Sequence, residues 1–137
     1  MAAMAVTLLA SANPFFHYKE WKTPHGTYPF NDIRPEHYMP AFEEGIKQGL
    51  ADIDAIVNNP AAPTFKNTIE AYENSGELLT IVAGCFYNLT SAETNDELQA
   101  IAMELSPKMS EYSATIRLNE GLFKRIKAVY DQKDKLK

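Results

Sequence analysis

Three histidines, His17, His25 and His37, are the first residues of this chain that could carry chemistry. Histidine titrates near neutral pH and is the commonest metal ligand in proteins. A catalytic zinc usually has three protein ligands, often two histidines one helical turn apart together with a carboxylate. No two of these histidines are four residues apart, so the sequence predicts no zinc site here. We expect solvated or packed imidazoles, and a zinc site assembled from them in three dimensions is the alternative.

Acidic residues could supply acid–base catalysis if two carboxylates faced each other. Acidic pairs that lie close together in the sequence include Glu43 and Glu44, Asp52 and Asp54, and Glu70 and Glu73. Members of the first two pairs point to different sides of a helix, which favours a solvated face. The third pair is three residues apart and can share a face. We interpret Glu73 as structural, with Lys66 or Arg117 as its partner in an ion pair.

Nucleophilic catalysis needs a serine or cysteine beside a base. Cys85 is the only cysteine, and no neighbouring histidine or arginine supports a reactive thiolate. Its apolar surroundings predict a buried structural thiol. The chain has neither a glycine-flanked serine nor a glycine-rich phosphate loop. The sequence therefore predicts no catalytic, cofactor-binding or metal-binding residue in this chain.

Composition limits the class of protein. The 137 residues fit one domain, and 45% hydrophobic with 23% charged residues is ordinary for a soluble globular protein. The net charge of -5 argues against a nucleic-acid partner, because phosphate binding needs a basic face.

Residues 1–10 are apolar and uncharged, and Ala10-Ser11-Ala12 fits a small-residue site for signal-peptidase cleavage. A basic segment before them is missing, and they are too short to span a bilayer. Two compartments stay open. The protein is periplasmic or in the cell envelope if these residues are a signal peptide, and cytoplasmic otherwise. We expect no membrane partner.

Two regions follow this leader. Residues 13–34 contain six aromatic residues interrupted by three prolines, which predicts an extended arm lying across a larger body. The alternative is a stacking platform for sugars or bases. Residues 35–137 carry apolar side chains at helical spacing, which predicts an all-α fold of about five amphipathic helices without a sheet. The first apolar stripe consists of Phe42, Ile46, Leu50, Ile53 and Val57.

Capping residues predict where the helices begin. The predicted caps are Thr64, an Asn74 and Glu77 pair, a Thr94 and Glu97 pair, and Asn119. The last helix is predicted to pack through Phe123, Ile126 and Tyr130. No glycine or proline closes it, which predicts that residues 35–137 are truncated at the C-terminus.

Five segments stand out by their order and spacing: Asn-Pro-Phe-Phe at 13–16, Pro-Phe-Asn-Asp-Ile at 29–33, 35–42, 63–76 and 86–95. Together they resemble the N-terminal region of zinc peptidases of the thimet-oligopeptidase (M3) family. Among its branches the peptidyl-dipeptidases are most similar. The resemblance runs from Asn13 to the last residue.

This resemblance implies a zinc-dependent peptidyl-dipeptidase that releases dipeptides from the C-termini of short peptides. In that family two histidines and a glutamate hold the zinc, and a second glutamate activates water. The family motif His-Glu-x-x-His does not occur in this chain. The chain is then expected to form a wall of the substrate channel, to be inactive alone, and to have the missing catalytic domain as its partner.

Two other functions stay open from the sequence. The chain could be a stand-alone helical module that holds a partner protein. It could also belong to an oligopeptidase of the same family that cleaves internally.

Overall fold

The computed structural model describes residues 13–93 and 95–133 and has an all-α fold, as the sequence predicts. Within these ranges there is no strand, and five helices follow residue 34. They are α1 (Pro35–Val57), α2 (a π-helical part, Phe65–Glu70, that continues into the α-helical turn Ala71–Glu73), α3 (Glu77–Ala92), α4 (Asp96–Arg117) and α5 (Glu120–Tyr130). The leader at 1–12 and the chain end at 134–137, on which the truncation was predicted, lie outside the described residues.

The arm at residues 13–34 is not extended throughout, which corrects the prediction. It contains two 3₁₀ helices, Pro14–Glu20 and Pro24–Gly26. Each begins with a proline, whose fixed φ suits a first helical position. The side chain of Asn13 also caps the first of them by accepting a hydrogen bond from the N–H of Phe15, at 3.1 Å.

This arm lies across α1 and α3. Phe15 is fully buried, and its ring centroid is 5.5 Å from that of Tyr38 on α1. Asn13 donates a side-chain hydrogen bond to the carbonyl of His37, at 2.9 Å. The Tyr18 hydroxyl donates to a carboxylate oxygen of Glu77 at the start of α3, at 2.8 Å. The aromatic residues of the arm therefore pack against this chain's own core, except Phe30, which is 50% exposed.

Helix α1 is the centre of the fold and packs against α3 and α4. Its backbone approaches α3 closely at Gly45, where a β-carbon would come within 2.9 Å of the Leu79 α-carbon. The Phe86 ring lies between two α1 rings, with centroids 5.1 Å from Tyr38 and 5.5 Å from Phe42. Edge-to-face ring pairs of this kind add to the stability gained by burial.

Two helices contain an internal proline. Helix α1 begins at Pro35 and continues through Pro40, so Pro40 does not mark its start. Helix α4 likewise continues through Pro107. The start of α1 is fixed by His37, whose Nδ1 accepts a hydrogen bond from the N–H of Arg34 at 3.0 Å.

Two of the four predicted caps are confirmed. The Thr64 hydroxyl accepts a hydrogen bond from the N–H of Asn67, at 3.1 Å. The Asn119 side chain accepts one from the N–H of Leu122, at 2.9 Å. Both satisfy main-chain donors that a helix start leaves without a partner.

Of the other two predicted caps, the Asn74 and Glu77 pair is wrong, and Thr94 falls outside the described residues. Helix α3 follows Gly76, which has φ +67° in the left-handed region, so Asn74 lies too early to cap it. Helix α4 is capped by Asn95, which accepts from the N–H of Leu98 at 2.9 Å.

The predicted packing face of α5 is wrong for two of its three residues, whereas the third, Ile126, packs against the buried cluster of Ile53, Ile56 and Leu122. Phe123 and Tyr130 are 66% and 62% exposed, whereas Leu122, Arg125 and Val129 are buried. The helix is rotated because the Arg125 guanidinium lies inward and donates hydrogen bonds to main-chain carbonyls of the loop after α1. An apolar pattern alone does not reveal such a buried polar anchor.

Candidate functional site

An open cleft of about 850 Å³ lies between α2, α3 and α4. It falls in the size range of ligand-binding sites. Its lining residues are Tyr72, Glu73, Ser75, Tyr87, Ser106, Met109, Ser110, Tyr112, Ser113, Ile116 and Arg117. Hydroxyl groups and aromatic rings thus make up most of its surface.

Helix α4 contributes one polar face to this cleft. Ser106, Ser110 and Ser113 are spaced four and three residues apart, so they lie on the same side of the helix. All three are exposed, and Arg117 continues the row one turn later. The buried residues Leu98 and Leu105 lie about a quarter turn away from this row on the same helix. The serines therefore form an exposed row beside the buried side of α4, and this row lines the cleft.

Three tyrosines provide the aromatic surface. Tyr72 and Tyr87 are 38% and 48% exposed. Tyr112 is held more firmly, because Gly49 and Gly76 leave room for its ring end. A β-carbon on Gly76 would lie 3.0 Å from the Tyr112 hydroxyl oxygen.

The hydroxyl of Tyr112 remains protonated over the physiological range. Burial raises its pKa, and the nearby Tyr72 and Asp52 raise the pKa further. The group can therefore donate as well as accept a hydrogen bond within the cleft.

The two charged residues of the cleft, Glu73 and Arg117, do not pair. The prediction that Glu73 forms an ion pair with Lys66 or Arg117 is therefore wrong for the described part of the chain. Because Glu73 and Arg117 nevertheless line one cleft, they offer one negative and one positive group to a ligand.

The three histidines do not meet in a site. His17 is exposed and lies 3.9 Å from the Glu20 carboxylate. His25 is exposed in a left-handed conformation, with φ +59°. His37 caps α1. Within 13–93 and 95–133, no three His, Cys, Asp or Glu side chains are grouped so that they could hold a metal ion. These residues do not fit a zinc site.

Cys85 is fully buried, which confirms the predicted structural thiol. Its sulfur is 3.6 Å from the Tyr38 hydroxyl oxygen. Burial raises the pKa of the thiol, while the Tyr38 hydrogen bond acts in the opposite direction. Cys85 lies apart from the residues that line the cleft.

None of the side chains that line the cleft is a histidine, cysteine or lysine, and Glu73 supplies the one carboxylate. The sequence prediction missed the cleft, because its tyrosines come from separate helices. The one local signal was the spacing of Ser106, Ser110 and Ser113. In the described ranges no helix is both long and apolar enough to cross a membrane.

Curated proteins with similar sequences are peptidases. Dipeptidyl carboxypeptidase of Salmonella typhimurium is 45% identical over 113 residues, which are 82% of this chain and 17% of that relative. Dipeptidyl carboxypeptidase of Escherichia coli is 42% identical over 128 residues, 93% of this chain and 18% of that relative. Oligopeptidase A of Escherichia coli is 27% identical over 109 residues, 80% of this chain and 16% of that relative. No protein-family model matches the chain.

Proposed function

Because the chain belongs to the family of dipeptidyl carboxypeptidase and oligopeptidase A, we propose that it is the N-terminal helical part of a zinc-dependent peptidyl-dipeptidase. The complete enzyme releases dipeptides from the C-termini of short peptides. The observation that carries this proposal is the identity of 42–45% to two dipeptidyl carboxypeptidases. The chain spans less than one fifth of either relative.

In this proposal the chain shapes the substrate channel and takes no part in the chemistry. The described residues offer no grouped metal ligands, and the cleft lining contains no histidine or cysteine. The zinc ligands and the general-base glutamate belong to the rest of the enzyme. The helices form one wall of the channel, which limits entry to unstructured peptides and helps to exclude water.

The surface of α5 supports the proposed partner, which is the catalytic part of the same protein. Phe123 and Tyr130 are seven residues apart, so they share one face of α5, and they are 66% and 62% exposed. Leu118, which precedes the helix, is 80% exposed. Large apolar side chains that share an exposed face normally mark an interaction surface. The relatives have more than four fifths of their length beyond the match, which is ample to cover this surface.

Digestion of peptides tests the proposal. We expect the complete protein to shorten unstructured peptides by two residues at a time from the C-terminus, and a chelator to abolish this activity. The isolated chain should cleave none of them. Release of single residues, or cleavage only at internal bonds, would contradict the peptidyl-dipeptidase activity.

Removal of residues 13–137 from the complete enzyme tests the wall role. Cleavage of short peptides should be impaired, or long and bulky peptides should gain entry, even though every zinc ligand remains. A folded, shortened enzyme that cleaves all peptides at unchanged rates would show that this chain is not a wall of the channel.

Two alternatives remain distinguishable. Similarity to oligopeptidase A favours internal cleavage, which the same digests would reveal as fragments longer than dipeptides. A stand-alone interaction module is favoured only by the exposed surface of α5. In that case the reading frame in the genome would not continue into a His-Glu-x-x-His motif.

A further inference from the structure

The cleft between α2, α3 and α4 has no role in the catalytic chemistry proposed above, but it suits one part of the substrate. This inference rests on the proposed function. A peptidyl-dipeptidase leaves only two residues on the C-terminal side of the cleaved bond. All variation in substrate length therefore lies on the N-terminal side. In the proposed enzyme the zinc ligands lie outside this chain, so we assign a binding site in this wall to the N-terminal portion.

The chemistry of the cleft matches a peptide main chain. Each of Ser106, Ser110 and Ser113 presents a hydroxyl that can both donate and accept a hydrogen bond. A peptide main chain alternates N–H donors and C=O acceptors, so such hydroxyls can pair with it whatever its sequence. The partly exposed rings of Tyr72 and Tyr87 offer flat apolar surfaces to peptide side chains.

The length of the serine row sets the number of residues that can bind. Ser106 and Arg117 are eleven positions apart on α4, which is about 16 Å along the helix axis. An extended peptide covers roughly 3.3 Å per residue. The row can therefore accompany about five residues of an extended substrate.

A packed interface with the rest of the enzyme would look different. The fully buried centre of an interface is depleted in charge, and permanent interfaces are more apolar than ordinary surface. The cleft instead contains Glu73, Arg117 and several hydroxyl groups. The α5 surface, with Phe123 and Tyr130, has the apolar character that the cleft lacks.

We infer that this cleft is a non-catalytic subsite that binds the main chain of substrate residues on the N-terminal side of the cleaved bond. It adds affinity for longer peptides without selecting their sequence. The class of ligand is an extended, unstructured peptide segment.

The test uses the complete enzyme and a double variant, Ser110→Leu with Ser113→Leu. Both serines are exposed, so the substitutions leave the buried core unchanged. They remove two hydroxyls and fill part of the cleft. The control is Ala100→Leu, which adds the same side chain at an exposed position of α4 outside the cleft lining. Dipeptide release is measured for peptides of increasing length, from a tripeptide to a decapeptide.

The expected result is a length-dependent loss. The double variant should lose about tenfold in kcat/KM for the decapeptide, the equivalent of one to two hydrogen bonds. Its kcat/KM for the tripeptide should match the unsubstituted enzyme, and the Ala100→Leu enzyme should be normal for both peptides. Changing the side chains of the N-terminal residues of the decapeptide should alter the loss little.

Other outcomes overturn the inference. Equal losses for both peptides would indicate a structural effect on the catalytic part, and no loss for either would show that the cleft is not a subsite. If the unsubstituted enzyme releases no dipeptides from any peptide, the proposed function itself fails, and that outcome is separate from the first two.

Discussion

A carboxylate oxygen of Asp52 on α1 accepts a hydrogen bond from the main-chain N–H of Gly76, at 2.9 Å. Gly76 immediately precedes α3 and is left-handed, so no side chain of its own caps that helix. Asp52 therefore supplies from a neighbouring helix a contact that a capping residue usually supplies locally. It also connects the second half of α1 to the start of α3.

We predict that Asp52→Ala lowers the free energy of unfolding by about 1 kcal/mol, because the N–H of Gly76 loses its partner. The measurement is urea denaturation followed by circular dichroism. Asp54→Ala is the matched control, because Asp54 is exposed on the same helix and should stay within about 0.5 kcal/mol of the unsubstituted protein. Equal effects at the two positions would contradict the role of Asp52.

Alanine at Gly45 should destabilise the protein by about 2 kcal/mol, although alanine ordinarily favours a helix. The new β-carbon would meet the Leu79 backbone at 2.9 Å, and a backbone cannot turn away as a side chain can. Helices α1 and α3 would have to separate. Thermal unfolding measures the effect, and a stability gain would show that the helices are less tightly packed than described.

Gly49→Ala should lower the free energy of unfolding less than Gly45→Ala does. The atom nearest to a β-carbon on Gly49 is the hydroxyl oxygen of Tyr112, at the end of a side chain. Removal of that hydroxyl by Tyr112→Phe should recover much of the loss, so the double variant should be more stable than Gly49→Ala alone. A double-mutant cycle measures this coupling. Additive losses would contradict the close approach of the two residues.

Arg125 is 9% exposed and donates to the carbonyls of Asn59 and Ala61 and to the side chain of Asn67. We expect Arg125→Met to lower the free energy of unfolding by about 2–3 kcal/mol, because it leaves several hydrogen-bond acceptors without partners. Arg125→Lys should recover only part of this, since an ammonium cannot reproduce the planar guanidinium contacts.

Lys124→Met is the control for Arg125, because Lys124 is exposed on the same helix. Hydrogen exchange should additionally show faster opening of the loop between α1 and α2 in Arg125→Met. Normal exchange in that loop would indicate that Arg125 does not hold it.

The free energy of unfolding should fall at alkaline pH, because the buried thiol of Cys85 resists ionisation. Burial raises the pKa of its thiol above the ordinary value of 9.0, so the folded protein holds this proton more tightly than the unfolded chain. The contribution is complete below pH 9 and is lost as the pH rises through the folded pKa. Urea denaturation across this pH range measures the loss.

In Cys85→Ala the free energy of unfolding should begin to fall only near pH 10. The buried Tyr38 then becomes the group responsible, because burial raises its pKa from the ordinary 10.0. An unchanged onset would assign the loss to other groups. Burial also predicts that thiol reagents modify Cys85 only when the protein opens.

The sequence predicted the helical fold because each helix carries its own apolar stripe, and packing agreed with the stripe of α1. Thr64 and Asn119 could be identified as caps because their bonds reach only three residues along the chain. The start of α3 could not be identified in this way, because its contact comes from Asp52, which is 24 residues away in sequence. Capping signals describe local bonds only.

The cleft and the orientation of α5 were beyond sequence reasoning for a similar reason. Phe123 and Tyr130 have the spacing of a packing face, but Arg125 occupies the inward side through bonds to residues about 60 positions earlier. The cleft likewise depends on how α2 and α3 approach α4. Local patterns determine helices, whereas the contacts between them determine which faces remain open.

The position of the arm makes the protein suitable for optical study. Trp21 is the sole tryptophan of the chain, its indole N–H donates to the Pro14 carbonyl, and its ring lies between those of Phe15 and Tyr28. Tryptophan emission therefore reports on one event, the release of the arm from α1 and α3. A red shift that precedes the loss of helical ellipticity during denaturation would time that release separately from helix unfolding, without any attached dye.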